Sequence, residues 1–190
     1  MFLPNIIEKT GRSSKAFDLP TKLLEDRIVY LFGEVNEMSA NVVIMQLLWL
    51  QSDDPTADIN LYINSPGGSV SQGLAIFDVI KRISCKVNTI CVGQACSMGA
   101  FLLSAGTGVR KASQNSRIMM HSVGGGYGGQ YHDMKVDFKE LEYFQNKMID
   151  YISSFTNGKL SVDELKEKTE RDYYISPEEA IEMGLIDEIL

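Results

Sequence analysis

The sequence predicts an α/β protein built on a largely parallel sheet, and three observations carry that expectation. The apolar run Ile59–Asn64 and the β-branched run Val87–Val92 are each followed by a segment patterned as a helix. Strands alternating with helices at this spacing require right-handed crossovers and parallel pairing. Hydrophobic residues make up 44% of the 190 residues and charged residues 23%, the balance of a globular chain long enough for one substantial core and one domain. Small residues crowd the strand-to-helix junctions at Gly67-Gly68 and Gly93, where the backbone must turn sharply.

Residues 1–18 mix apolar side chains with Gly11, Arg12, Ser13 and Ser14 and show no clean period, which predicts an irregular arm. A short helix is expected over Thr21–Asp26 and a strand over Ile28–Phe32, ended by Gly33. Ser39–Leu50 is apolar almost all round, so that helix must be covered on more than one side. The Ile59–Asn64 strand runs into Ser65-Pro66-Gly67-Gly68-Ser69 and a helix over about 70–83. The Val87–Val92 strand leads to a helix beginning at Ser97, and a further strand, Arg117–His121, precedes the glycine-rich stretch Gly124–Gln130. A long helix over about Asp133–Phe155 follows, ended by Asn157-Gly158. It is on the order of 33 Å long. Met134, Phe138, Leu141, Met148, Ile152 and Phe155 give it one apolar stripe, and part of that stripe is expected to bury itself on another subunit. Two capping boxes, Ser161 with Glu164 and Ser176 with Glu179, open the last helices, and Leu185–Leu190 is expected to be a final strand.

Charge and cysteine usage narrow the function. The net charge of −7 and the absence of a Lys/Arg cluster weigh against a nucleic-acid partner. Cys85, Cys91 and Cys96 lie in the apolar middle without metal-ligand spacing, as buried free thiols of a reducing compartment would. No segment nears the roughly 18 uninterrupted apolar residues of a membrane span. The N-terminus lacks the basic region followed by a long apolar one that marks a secretory signal. A cytoplasmic location with no membrane partner is expected.

The stretch Gly93-Gln94-Ala95-Cys96-Ser97-Met98-Gly99-Ala100-Phe101 carries the candidate chemistry. A serine at a sharp strand-to-helix turn stands at the partly positive helix N-terminus and suits nucleophilic chemistry if a base reaches it. Serine is also a preferred N-cap, so capping is the competing role for Ser97. Of the two histidines, His121 ends an apolar strand, whereas His132 lies among polar residues; His121 is the favoured base. The orienting carboxylate stays open among 25 acidic residues. Gly67-Gly68 can bring backbone N–H donors close to a reacting carbonyl, with the Met98 N–H as a second donor, although an ordinary turn explains Pro66-Gly67-Gly68 equally well. No phosphate-loop pattern is present.

Taken together, Tyr62-Ile63-Asn64-Ser65-Pro66-Gly67-Gly68, the Gly93–Phe101 stretch, Asn115-Ser116-Arg117-Ile118-Met119-Met120-His121 and Thr169-Glu170-Arg171-Asp172 resemble the ClpP family, the proteolytic subunits of the caseinolytic (Clp) protease. The resemblance runs from about Pro4 to Leu190. It implies a spiral of β-β-α units shared with the crotonases, with a projecting handle over about 123–157 made of a Gly124–Gln130 strand and the long helix. It implies an axial arm or loop over residues 1–18 and a single protease domain over 19–190. By resemblance, Ser97 is the nucleophile, His121 the general base and Asp172 the orienting carboxylate. Gly68 and Met98 supply the oxyanion donors, and Glu170 and Arg171 pair across a ring–ring interface.

The implied protein is a self-compartmentalising serine endopeptidase of two stacked heptameric rings, needing no metal or organic cofactor. A hexameric AAA+ ATPase unfoldase feeds it unfolded polypeptides, docking on apolar pockets and the N-terminal loops, and the ring alone cleaves short peptides. Two features depart from the family: Ser122-Val123 stand where Gln-Pro is usual, and Cys96 where alanine is usual. The first is expected to bear on cleavage preference and the handle hinge. The second does not displace Ser97 as nucleophile. The alternatives are a non-catalytic or partner-activated ClpP paralogue in a mixed ring, and a crotonase-like acyl-CoA enzyme.

Overall fold

A computed structural model describes residues 5–10, 13–126 and 128–190. The chain opens with β1 (Asn5–Thr10) and β2 (Ser13–Asp18), paired antiparallel with Ile6 opposite Phe17. This hairpin replaces the irregular arm expected from sequence. Its stabilising contacts run across the pair, and a single strand's periodicity does not reveal them. The parts of that arm at Met1–Pro4 and Gly11–Arg12 lie outside the described residues.

The body alternates as its pattern requires. Helix α1 (Leu19–Glu25), capped by Asp18, leads to β3 (Ile28–Phe32). Helix α2 (Glu37–Asp53) starts in a reciprocal Asn36–Ser39 capping box, and β4 (Ile59–Ser65) and α3 (Val70–Arg82) follow. Strand β5 (Val87–Cys96) turns directly into α4 (Met98–Ser104). The short strands β6 (Arg110–Ala112) and β7 (Arg117–Met120) precede α5 (Tyr131–Phe155) and α6 (Val162–Lys168). Strand β8 (Tyr173–Ile175), α7 (Pro177–Glu182) and β9 (Glu188–Ile189) complete the chain. Both expected capping boxes form, at Ser161–Glu164 and Ser176–Glu179.

The sheet runs β3-β4-β5-β6-β9, parallel throughout, with β7 on β5 and β8 antiparallel on β7. Strand β5 therefore serves two partners in turn. Thr89–Cys91 pair with β6, and Gln94–Cys96 pair with β7. Between them Gly93 takes φ +90°, beside an irregularity in the β4–β5 register. A glycine that reads as a strand stop is here a bend within a longer strand, which is why β5 runs four residues past its expected end at Val92.

Helix α4 is buried along its whole length, and Phe101 meets Phe77 and Phe155 edge-on. One buried cation ties the C-terminal elements together. The Arg110 guanidinium donates to both Asp187 carboxylate oxygens at 3.0 and 2.6 Å, and to the carbonyls of Phe155 and Gly184. That partner holds the Asp187 carboxyl below its ordinary range.

Two helices keep apolar faces uncovered within the chain. Helix α2 buries Ala40, Val43, Leu47 and Leu50 but leaves Met45, Leu48 and Trp49 about half exposed. Helix α5 buries Met148, Ile149 and Ile152, while Val136 and Phe138 nearer its start are two-thirds exposed. Before α5, the described residues of 124–130 form no strand, contrary to expectation. Their glycines bring no side chains to hold a ladder. Among the described residues, no helix is long and apolar enough to cross a membrane.

Candidate active site

The site forms where β5 leaves the sheet. Ser97 follows its last residue with φ 53° and ψ −119°, a conformation that costs a non-glycine residue on the order of 1–3 kcal/mol. Backbone bonds on both sides hold it there: the Ser97 N–H donates to Met119 O at 2.7 Å, and its carbonyl accepts from Phe101 N–H at 3.1 Å. Ser97 occupies the N-cap position of α4, yet its side chain makes no capping hydrogen bond. The two roles open for this serine are thus separated: its hydroxyl is not engaged by the helix it precedes.

Glycine is required opposite. A Cβ at Gly67, whose φ is +96°, would stand 2.6 Å from Ser97 Cβ and 2.7 Å from Cys96 O. The neighbouring Gly68 forms a parallel bridge with Val35. In it the Val35 N–H donates to Gly67 O and the Ser69 N–H donates to Val35 O, each at 2.8 Å. Because the Gly67 carbonyl is turned to Val35, the trans peptide directs the Gly68 N–H away from Val35. Among the described residues no protein acceptor engages the Gly68 N–H, nor the Met98 N–H, which is an orphan donor of the first helical turn. The Met98 side chain is buried over Gly73 of α3, where no Cβ intervenes.

Strand pairing brings the other candidates alongside. Cys96 pairs with Met119, so Ser97 lies beside the end of β7. The β7–β8 register sets Met120 opposite Tyr173, so His121, just after β7, and Asp172, just before β8, lie at the same end of that pair. Three candidates far apart in sequence thus stand at the ends of three adjacent strands. Ser97, His121, Gly68 and Met98 line one cavity of about 270 Å³, whose apolar wall includes Ile149 and Ile152. His121 and Asp172 line a second, more open cavity of about 490 Å³ with Glu170 and Arg171. Among the described residues no hydrogen bond joins the Ser97, His121 and Asp172 side chains. Catalytic hydrogen bonds commonly tighten only when substrate is bound. Glu170 and Arg171 are exposed. His132, the disfavoured histidine, lies in the first turn of α5 against Tyr131.

The three cysteines are free and buried, as expected. Burial pushes the Cys91 thiol up to about 11. Cys96 is pushed up too, first by burial and then by the negative charge of Asp172. A thiol held protonated is a poor nucleophile, which weighs against Cys96 in that role. No three His, Cys, Asp or Glu side chains among the described residues gather as a metal site would require.

One contact at the site went unforeseen. Gln145 of α5 accepts a 2.6 Å hydrogen bond from Val123 N–H and lines the same cavity as Ser97. Its signal in the sequence is a polar residue within the apolar stripe, four residues after Leu141 and four before Ile149. The family model for Clp proteases matches residues 11–190, and the chain belongs to that family of serine peptidases.

Proposed function

We propose that this chain is a serine endopeptidase whose nucleophile is Ser97. The single observation that carries the reading is the serine at the head of α4, held in a strained backbone conformation with its hydroxyl free of the helix. A hydroxyl at that position gains little from capping and stands beside two free backbone donors. In the proposed reaction, His121 takes the hydroxyl proton as Ser97 Oγ attacks the peptide carbonyl. The N–H groups of Gly68 and Met98 receive the developing oxyanion. His121 then protonates the departing amine, and water, activated by the same imidazole, releases the acyl group. Asp172 orients His121 and stabilises its charged form. No metal or organic cofactor enters this scheme.

The same reading makes the fold a spiral of β-β-α units, with a protease domain over residues 19–190, a handle built on α5 and an axial arm over 1–18. Two heptameric rings would stack to enclose the sites, with Glu170 and Arg171 pairing across the ring interface. The uncovered apolar residues of α2 and α5 support burial against further copies. A hexameric AAA+ ATPase in the cytoplasm would deliver unfolded polypeptides. An apolar cavity of about 790 Å³ lined by Leu23, Tyr30, Phe32, Val42 and Tyr62 supports a docking place for it. A second reading, a subunit activated only within a mixed ring, draws its support from Ser122-Val123 standing where Gln-Pro is usual in the family.

The test is fluorophosphonate labelling and cleavage of a short fluorogenic peptide by wild type and Ser97→Ala. Labelling and cleavage should both occur in wild type and vanish in the variant. Ring-sized particles that neither label nor cleave would instead favour the partner-activated subunit. If acyl-CoA binds and no labelling occurs, the peptidase reading fails in favour of a crotonase-like enzyme.

A further inference from the structure

The segment after His121 is held at two points, by residues of two different elements. The Ser122 N–H donates to Thr169 O at 2.7 Å. Thr169 is buried at the end of α6, three residues before Asp172. The Val123 N–H donates to Gln145 Oε1 at 2.6 Å. Gln145 lies in the half of α5 that packs on the core, one turn before Ile149, and beside the cavity that Ser97 and His121 line. The backbone of 122–123 is thus a strap between the Asp172 segment and the long helix, with His121 at its root.

Resting on the peptidase reading above, we propose that Gln145 is a positioning residue for the general base. By holding Val123, it fixes the backbone that sets where His121 stands relative to Ser97. Beyond Val123, Gly124, Gly125 and Gly126 are all exposed, and a Cβ on Gly124 or Gly126 would meet no atom within 4 Å. Without the Gln145 bond the strap is secured only at Ser122, and the His121 backbone gains freedom that proton transfer in a fixed geometry does not tolerate. A backbone N–H at residue 123 makes the device possible, because a proline in its place has no donor to offer.

The test combines Gln145→Leu with Val123→Pro, alone and together, in the assembled full-length protein. Gln145→Leu should lower kcat on a short fluorogenic peptide about three- to tenfold, the equivalent of one net hydrogen bond, with KM unchanged. Ring size on a sizing column should also be unchanged, and amide hydrogen exchange over 121–124 should rise. In the Val123→Pro background, where the donor is gone, Gln145→Leu should have no further effect on kcat. An unchanged kcat or unchanged exchange in Gln145→Leu overturns the proposal. So does a loss that persists undiminished beside Val123→Pro, which would assign Gln145 to the cavity wall, or one that follows loss of rings, which would assign it to assembly. Wild type that neither labels with fluorophosphonate nor cleaves peptide overturns the peptidase reading itself and this inference with it. The exchange result then still reports whether the Gln145–Val123 bond exists.

Discussion

At Gly67 two requirements meet. Its φ of +96° suits glycine alone, and its backbone approaches Ser97 more closely than a Cβ allows. Gly67→Ala should therefore slow fluorophosphonate labelling of Ser97 at least about tenfold and lower stability by about 1–3 kcal/mol, read from the urea midpoint. The neighbouring Cys96 gives a prediction of opposite sense. Because burial and the Asp172 charge hold its thiol protonated, iodoacetamide at neutral pH should modify it more slowly than an ordinary free thiol. The rate should climb only above the usual thiol range; rapid alkylation at pH 7 would contradict the assigned environment. Residue-level reading of the sequence narrows the choice where chemistry limits it, to one serine at a sharp turn and one of two histidines. It stopped at Asp172, because a carboxylate three residues before the end of a three-residue strand carries no periodic signal. Only the likeness to a known family singled it out. The pairing of β7 with β8 that brings it to the same cavity as His121 is a long-range contact, invisible to local pattern.

Among the elements, β5 runs further than its local pattern indicates. Its interior glycine reads as a terminator, yet the strand resumes after the bend because β7 is there to receive it. The hairpin of β1 and β2 escaped notice for a related reason, since its order comes from a partner strand. By contrast, helices with side-chain caps, such as α6 and α7, are legible at their starts, where Ser161 and Ser176 form the expected boxes. The C-terminal elements depend on the Arg110–Asp187 clamp. Asp187→Asn should destabilise the fold by about 1.5–3 kcal/mol, the range for a hydrogen bond to a charged group, with the lower end expected because the carboxylate is partly exposed. The sign of the pH effect follows from the lowered Asp187 value. The contribution is fully present above the ordinary carboxyl value of 3.8 and is lost as pH falls through the lower folded value. The gap in urea midpoint between wild type and Asp187→Asn should thus be constant near neutrality and close in strong acid. A gap that widened on acidification would refute the clamp.

For the whole molecule, the apolar faces left open on α2 and α5 point to assembly, and the chain contains its own optical reporter. Trp49 is the sole tryptophan and is half exposed on the outer face of α2. If neighbouring copies cover that face, Trp49 emission should move to shorter wavelength as ring-sized particles form and return on dissociation. Emission indifferent to particle size would leave α2 facing solvent. Arg171→Ala should weaken stacking of rings, seen as a fall in particle size, and should lower peptidase activity with it. Single rings with full activity would separate assembly from catalysis.

The bridge between Val35 and Gly68 has a consequence for the thermodynamics of the reaction. Both neighbours of Gly68 are pinned to Val35 by hydrogen bonds that exist before any substrate arrives. If the Gly68 N–H receives the oxyanion, as proposed, that donor is ordered when the chain folds, and little further ordering is required of it at the transition state. The acylation step should accordingly show a small activation entropy, with its temperature dependence residing in enthalpy.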